Sequence, residues 1–348
     1  MEKIMLSYAG CHCCIGYETQ FKNVVDRFTK DFSFYYQTDG IDQGANIDAT
    51  ICLVENAYEK EIDSEEECIH SSHSKNRKYL LNGDSYTQKD ASLYACKKKE
   101  GDKLYYYIRK TNTKVLADLS QKVIKLSGTD LYNMLVYVFE TILSITIEHN
   151  GGIQLHGACC TYKGKGFIIT GKSGGGKTTL MFNLLKKGGA FHSNDRVAVF
   201  RENEKYVAYS IPIPVNVPIN MMRTLDKWKD TELVKNAEDN SKIRFLVHEF
   251  DKLFEGNMVT RTEVDAILSV NYSEGEPMHE IMKDDGISEY VEVLSPFDEN
   301  HPKWLPIYDY PDSAEVEEAL KIMRESVDII RLSGNDTLKA LEGTHLWR

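Results

Sequence analysis

Basic charge is what this chain lacks. Of its 348 residues, 42 are Lys or Arg and 53 are Asp or Glu, a net charge of −11 with the histidines neutral. Such a chain repels a polyanionic backbone and offers no basic stripe, which sets nucleic acid aside as a partner. Long apolar runs are missing too. The longest candidate, MLVYVFETILSITI from Met134 to Ile147, carries Glu140 and falls short of the ~18 apolar residues of a membrane span, so no membrane partner is expected. The N-terminal MEKIMLSYAGCHCC lacks a basic-then-apolar signal with a small-residue cleavage site, and the expected location is cytoplasmic. With 8 prolines, 23 glycines, 42% apolar and 27% charged residues, the composition excludes collagen-like, low-complexity and disordered classes. Single cores stop growing at roughly 250–300 residues, so two domains are expected.

A second pair of metal-spaced cysteines is also missing. Without a signal segment, the 8 cysteines read as reduced thiols rather than a disulfide framework. Cys11, His12, Cys13 and Cys14 contain a CxxC spacing, but zinc wants four ligands, and Cys52, Cys68, Cys96, Cys159 and Cys160 supply no partner pair at ligand spacing. Small, buried apolar groups are the plainer reading of these thiols.

What is present is patterned. IDATICLV (Ile47–Val54), KYLL (Lys78–Leu81), SLYACK (Ser92–Lys97) and KLYYYIRK (Lys103–Lys110) predict strands, the last two joined at a KKKEGDK hairpin tip. The polar stretch Glu61–Lys78, with His70 and His73, reads as an exposed loop. Leu131, Met134, Leu135, Val138, Phe139 and Ile142 recur at helical spacing and predict a buried helix ended by Gly151 and Gly152. IQLHGACCTY (Ile153–Tyr162), a KGKG turn and FIIT (Phe167–Thr170) read as a hairpin entering a glycine-rich loop. In YSIPIPVNVPI (Tyr209–Ile219), Pro212, Pro214 and Pro218 allow an edge strand or an extended loop. VDAILSVNYS (Val264–Ser273) reads as a buried strand. Asp312 and Glu315 form a capping-box pattern before a helix whose apolar face is Val316, Leu320, Met323, Val327 and Ile330, stopped by Gly334.

One motif carries chemistry. GKSGGGKTTL places Gly171, Gly176, Lys177 and Thr178 in the P-loop pattern, which average residue usage would produce by chance in roughly 1% of such chains. Gly174, Gly175 and Gly176 let backbone N–H groups close on phosphate oxygens, with Ser173 and Thr179 on the same loop-to-helix path, and the following helix adds its positive end. Lys177 can reach the β- and γ-phosphates of ATP, and the Thr178 hydroxyl can ligate Mg²⁺. FIIT before the loop and Leu180, Phe182, Leu184 and Leu185 after it supply the strand–loop–helix setting.

The wider segment Leu155–Phe200 resembles the core of the HPr kinase/phosphorylase family, in the phosphoenolpyruvate carboxykinase-like branch of P-loop proteins. The resemblance lies in the order of His156-Gly157, the hairpin, Gly171 to Thr178, a short helix, and Asn194-Asp195-Arg196-Val197. It implies an α/β fold: a P-loop core of the HPr kinase type over residues 116–348, with a smaller mixed α+β domain over residues 1–115. It implies a nucleotide site for ATP and Mg²⁺ on the loop, Asp195 for metal or base duty, and His156 near the transferred phosphate. The first acid of the family's pair is Asn194 here, and an amide cannot take a proton as a carboxylate does. The glycine- and arginine-containing signature of true HPr kinases is missing after residue 200, so HPr is a poor substrate guess.

Relatives with another N-terminal domain resemble enzymes of bacterial peptide modification, in which a peptide serine accepts the phosphate. A peptide or protein serine is therefore the first acceptor class, and a small-molecule hydroxyl the second. The competing reading is a silent nucleotide-binding regulator or peptide-recognition protein, for which Asn194 is the motive. A carboxykinase shares the core, but this chain is shorter and lacks a second metal signature. Residues 1 to about 115 are expected to bind the acceptor or a partner. Family members often form homo-oligomeric rings, though no residue here marks an interface. Arg196 could pair with Asp195 or with phosphate, and Arg244 and Arg261 could supply transition-state charge, solvated surface being the plainer role of these last two.

Overall fold

Short runs rich in β-branched and aromatic residues become strands in both halves of the chain, where such side chains pack well on a pleated surface. The structure, a computed structural model, describes residues 1–36, 46–70, 77–81, 84–88, 93–172, 174–226, 228–239, 241–251, 257–282, 291–295, 304–309 and 311–347. It is a mixed α/β fold with several sheets. Two units emerge: Met1–Lys78, Tyr86–Asn150 and Phe297–Tyr310 form the first, and Tyr79–Ser85, Gly151–Pro296 and Pro311–Arg348 the second.

The early strands are β1 (Glu2–Tyr8), β2 (Cys11–Tyr17), β3 (Ala49–Leu53), β4 (Glu66–His70), β5 (Arg77–Leu81), β6 (Asp84–Gln88), β7 (Leu93–Glu100), β8 (Lys103–Ile108), β9 (Thr113–Asp118) and β10 (Val123–Ser127). All but β5 and β6 form one eight-stranded sheet in the order β1–β2–β3–β10–β9–β8–β7–β4. The expected hairpin tip is present, with Glu100 opposite Lys103 and Gly101 at φ +58. The stretch expected to be an exposed loop contributes β4, antiparallel to β7, with Lys97 reaching Glu67 at 2.8 Å; His73 lies outside the described residues.

Helix α2 (Leu131–His149) packs on this sheet, and α1 (Lys22–Phe32) packs on α2, where Phe28 and Phe139 meet at 5.5 Å between ring centroids. By length and composition α2 could cross a membrane, but 72% of its apolar window is buried inside the protein, as in a core helix. The division after Asn150 corrects the boundary expected at residues 115 and 116. Strands β9 and β10 are central in the eight-stranded sheet, and α2 covers β2, β3 and β10, so the first unit is incomplete without them. Cys11, Cys13 and Cys14 lie buried on β2. Burial pushes the Cys11 thiol up to about 12 and raises Cys13 and Cys14 as well, which keeps them from acting as thiolates.

The second unit contains β11 (Ile153–His156), β12 (Ala158–Tyr162), β13 (Lys165–Thr170), α3 (Lys177–Lys186), β14 (Ala190–Ser193), β15 (Val197–Glu202), β16 (Lys205–Ser210), β17 (Val215–Pro218), β18 (Lys242–Phe245), β19 (Arg261–Glu263), β20 (Ala266–Tyr272), β21 (Met278–Ile281), β22 (Glu292–Val293) and β23 (Asp328–Gly334). A six-stranded sheet runs β14–β12–β13–β20–β23–β21, with β13, β20 and β23 mutually parallel. A five-stranded sheet runs β19–β16–β15–β11–β22, and a four-stranded one β17–β18–β5–β6; of the proline-rich segment, Pro212 and Pro214 lie in irregular chain before the edge strand β17, and Pro218 ends that strand.

Alternation along the central strands buries both faces of the six-stranded sheet. Phe167, Ile169, Leu268, Val270, Ile330 and Leu332 join α3 in one apolar cluster. Ile168, Ile267 and Ile329 join β11, β15 and the helix Ser313–Ser326 in another. Leu184 on α3 is fully buried in the first cluster. Leu184→Ala is expected to cost about 2–5 kcal/mol of stability, read by urea unfolding; a loss under about 1 kcal/mol would contradict this packing.

Two boundaries differ from expectation. Ile153–Tyr162 is not one strand: Gly157 splits it into β11 and β12, which join different sheets. A Cβ on Gly157 would lie 2.8 Å from the Ile169 carbonyl oxygen, so the chain crosses from one sheet to the other at close backbone contact. The C-terminal helix starts on the expected capping box, but it ends at Ser326 rather than running through Ile330. Val327 caps it, and the β-branched pair Ile329 and Ile330 enters β23 instead, buried on both faces of the central sheet.

Candidate functional site

The glycine-rich loop leaves the carboxyl end of β13, where ligands of parallel sheets bind, and enters α3. It lies directly on β20: a Cβ at Gly171 would stand 2.4 Å from the Val270 carbonyl oxygen, and one at Gly175 2.8 Å from the same atom. Only glycine permits this approach, and Gly171, Gly174 and Gly176 also take φ of +132, +82 and +102. The Gly175 N–H donates to the Lys172 carbonyl at 2.9 Å, and the Gly175 carbonyl accepts from the Tyr272 N–H at 2.9 Å, which pins the loop to the strand. Ser173 lies outside the described residues.

Helix α3 begins at Lys177 with Gly176 as its N-cap, and no acidic side chain occupies its first turn. Its leading N–H groups and macrodipole therefore present uncompensated positive charge at the loop. Thr178 is half-buried and Thr179 exposed in that turn. The Lys177 ammonium donates to the Gly171 carbonyl at 2.5 Å and the Lys172 carbonyl at 3.4 Å. Burial holds its pKa below the usual lysine value, while the negative charges of Glu292 and Asp195 push it back up. The ammonium thus feels two carboxylates.

Asp195 stands on the turn from β14 to β15, in the left-handed region at φ +68, which Asp and Asn tolerate better than other side chains. Asn194 is 6% exposed and its Nδ2 faces Asp195 Oδ2 at 3.4 Å. Ser193 Oγ donates to the Arg196 carbonyl, closing the turn. The Arg196 guanidinium donates to Gln154 Oε1 at 2.6 Å, tying the turn to β11. Arg261 on β19 is held by Glu202 on β15 at 2.5 Å, an ion pair that spans the intervening strand β16 of the five-stranded sheet.

His156 ends β11, and its carbonyl accepts from Thr170 Oγ1 at 3.4 Å, next to the loop entrance. Its side chain is 33% exposed, and Nδ1 lies 4.0 Å from Glu292 Oε2 on β22. Glu292 is the residue sequence reading missed. It sits in no motif, and only the pairing of β11 with β22, with His156 opposite Glu292, brings it to the site. Asp195 and Glu292 thus act on the Lys177 ammonium through their charge, Glu292 approaches His156, and Asn194 lies buried beside Asp195.

These residues fit a nucleotide-borne Mg²⁺. No group of three or more His, Cys, Asp or Glu that could hold a metal ion occurs among the described residues, and Mg²⁺ on a nucleotide asks for one or two protein oxygens while phosphates and water supply the rest. The Thr178 hydroxyl and the Asp195 carboxylate would supply such oxygens.

A pH dependence arises beside the site. His192, fully buried on β14, donates its Nε2–H to the Ala208 carbonyl at 3.1 Å. Burial pushes its pKa from 6.5 down to about 4. The fold therefore tolerates the neutral ring, and the unfolded chain takes up the proton first as pH falls. Stability is expected to be intact above pH 6.5 and to fall by up to about 3 kcal/mol as pH drops from 6.5 to 4. Urea unfolding at pH 7 and pH 5 checks this, with His192→Gln removing that part of the slope.

No protein-family model matches this chain, and no curated protein matches it. Among solved structures, the Hpr(Ser) kinase/phosphatase from Coxiella burnetii is similar at 16% sequence identity and a TM-score of 0.26, over 38% of this chain and 73% of that one. A likeness at that level leaves the functional reading to the loop and the side chains around it.

Proposed function

We propose that this protein is an ATP- and Mg²⁺-dependent kinase that transfers the γ-phosphate to a hydroxyl, first of all a serine of a peptide or protein. The observation that carries the reading is the Gly171–Thr179 loop: a glycine turn laid on the β20 backbone, an uncompensated helix N-terminus, and a half-buried lysine that feels the charges of Asp195 and Glu292. Phosphoryl transfer depends mostly on positioning and charge stabilisation, and this arrangement offers both. The loop N–H groups and Lys177 hold the phosphates. Bound Mg²⁺ supplies neutralisation of the charge that develops on them. Asp195 takes the acceptor proton or orients the hydroxyl, the role an amide at Asn194 cannot fill.

Fold alone does not select an acceptor, so the first unit, with its separate sheet, is assigned acceptor or partner recognition. Incubation with Mg-ATP and a serine-peptide library, read by mass spectrometry, tests the proposal. Phosphorylated serine that disappears in Lys177→Ala supports it. Nucleotide binding with no transfer to serine peptides or to small alcohols favours the second reading, a silent nucleotide-gated binding protein, which the buried Asn194 at the acidic position motivates.

A further inference from the structure

We infer that Tyr272 is the stacking platform for the nucleobase, an inference that rests on the loop being a nucleotide phosphate site. Exposure alone would carry nothing, since single exposed aromatics are ordinary on protein surfaces. Position carries it. Tyr272 is the last residue of β20, the parallel neighbour of the loop strand β13, and is 58% exposed. Side chains two apart on a strand share a face, so Tyr272 lies on the same side as Val270, which is packed in the α3 cluster. Val270 Cγ1 and Tyr272 Cβ stand 3.4 and 3.6 Å from the point where a Cβ on Gly176 would project. Tyr272 therefore rises beside the N-cap of α3, at the end of the sheet opposite Gly334, where the phosphates of a bound nucleotide would give way to its sugar and base.

Its backbone is fixed on both sides. The Tyr272 N–H donates to the Gly175 carbonyl at 2.9 Å, so the ring is tied to the phosphate loop itself. The next residue binds β23 reciprocally: the Ser273 N–H donates to the Gly334 carbonyl at 3.2 Å, and the Gly334 N–H to Ser273 Oγ at 3.1 Å. The Asn335 N–H donates to the Gly275 carbonyl at 2.9 Å, closing the turn. A tyrosine with two side-chain torsions on so firmly held a backbone loses little freedom on binding, which is what a stacking surface needs. A π-face reads no base edge, so the platform takes adenine and guanine alike.

Calorimetric titration separates this inference from the one beneath it, with Mg-ATP and Mg-tripolyphosphate as probes. Tyr272→Ala is expected to weaken Mg-ATP by about 10-fold or more while leaving Mg-tripolyphosphate unchanged, with Tyr272→Phe like the wild type. Mg-GTP should lose affinity in parallel. Tyr272→Trp gives a readout that does not depend on the alanine variant folding: its added emission should be quenched by Mg-ATP and not by Mg-tripolyphosphate. Unchanged Mg-ATP affinity in Tyr272→Ala, or no selective quenching in Tyr272→Trp, overturns the platform and leaves the phosphate site standing. Failure of the wild type to bind either probe overturns both.

Discussion

Lys177→Ala abolishes phosphoryl transfer in this account, with a rate loss of at least about 100-fold, because removing one preorganised charge from a transferring phosphate costs that much or more. The lysine is well placed for the role. It opens α3, its ammonium is held over the loop carbonyls of Gly171 and Lys172, and it feels the charges of Asp195 and Glu292. Partial burial strengthens its field on any phosphate in the loop. The fold should survive the change, since Lys177 is half-buried at a helix terminus and belongs to no apolar cluster. A variant that unfolds at the wild-type temperature yet transfers no phosphate is the expected result; transfer within about 3-fold of wild type would remove Lys177 from the chemistry.

Asp195→Asn is the second large effect, with an expected loss of about 100- to 10,000-fold in transfer and a smaller change in nucleotide binding. The choice of asparagine matters. Asp195 holds φ +68, and asparagine accepts that conformation where alanine would strain it, so the substitution removes the charge and leaves the turn. The Ser193–Arg196 closure and the Arg196–Gln154 contact hold the turn independently of the carboxylate. If Asp195→Asn transfers at the wild-type rate while Glu292→Gln does not, the base duty belongs to Glu292. Its approach to His156 Nδ1 at 4.0 Å and its charge on Lys177 make it the alternative carboxylate.

The loop was readable in the sequence because its chemistry is local. Gly171 through Thr179 are contiguous, each glycine answers a steric demand of the backbone, and the strand before and helix after carry their own periodicities. His156 and Asp195 were reachable through the order of elements. Glu292 was not, because strand β22 spans two residues and its pairing with β11 is a long-range event with no periodic signature. The helix from Ser313 ran too long in the sequence reading because Val327 and Ile330 continue a helical spacing. Tertiary context overrides it: Ile329 and Ile330 point to opposite faces of a central strand and are buried on both. The domain boundary failed for a related reason. A buried helix before a phosphate loop reads as part of the loop's domain, yet α2 spends its apolar faces on β2, β3 and β10.

The most direct test of the central claim is an equilibrium titration of the purified full chain with Mg-ATP, run beside Lys177→Ala. The account predicts one saturable site in the wild type, lost or weakened by at least about 10-fold in the variant at equal thermal stability. Absence of binding by the folded wild type, or equal binding by both proteins, would contradict it.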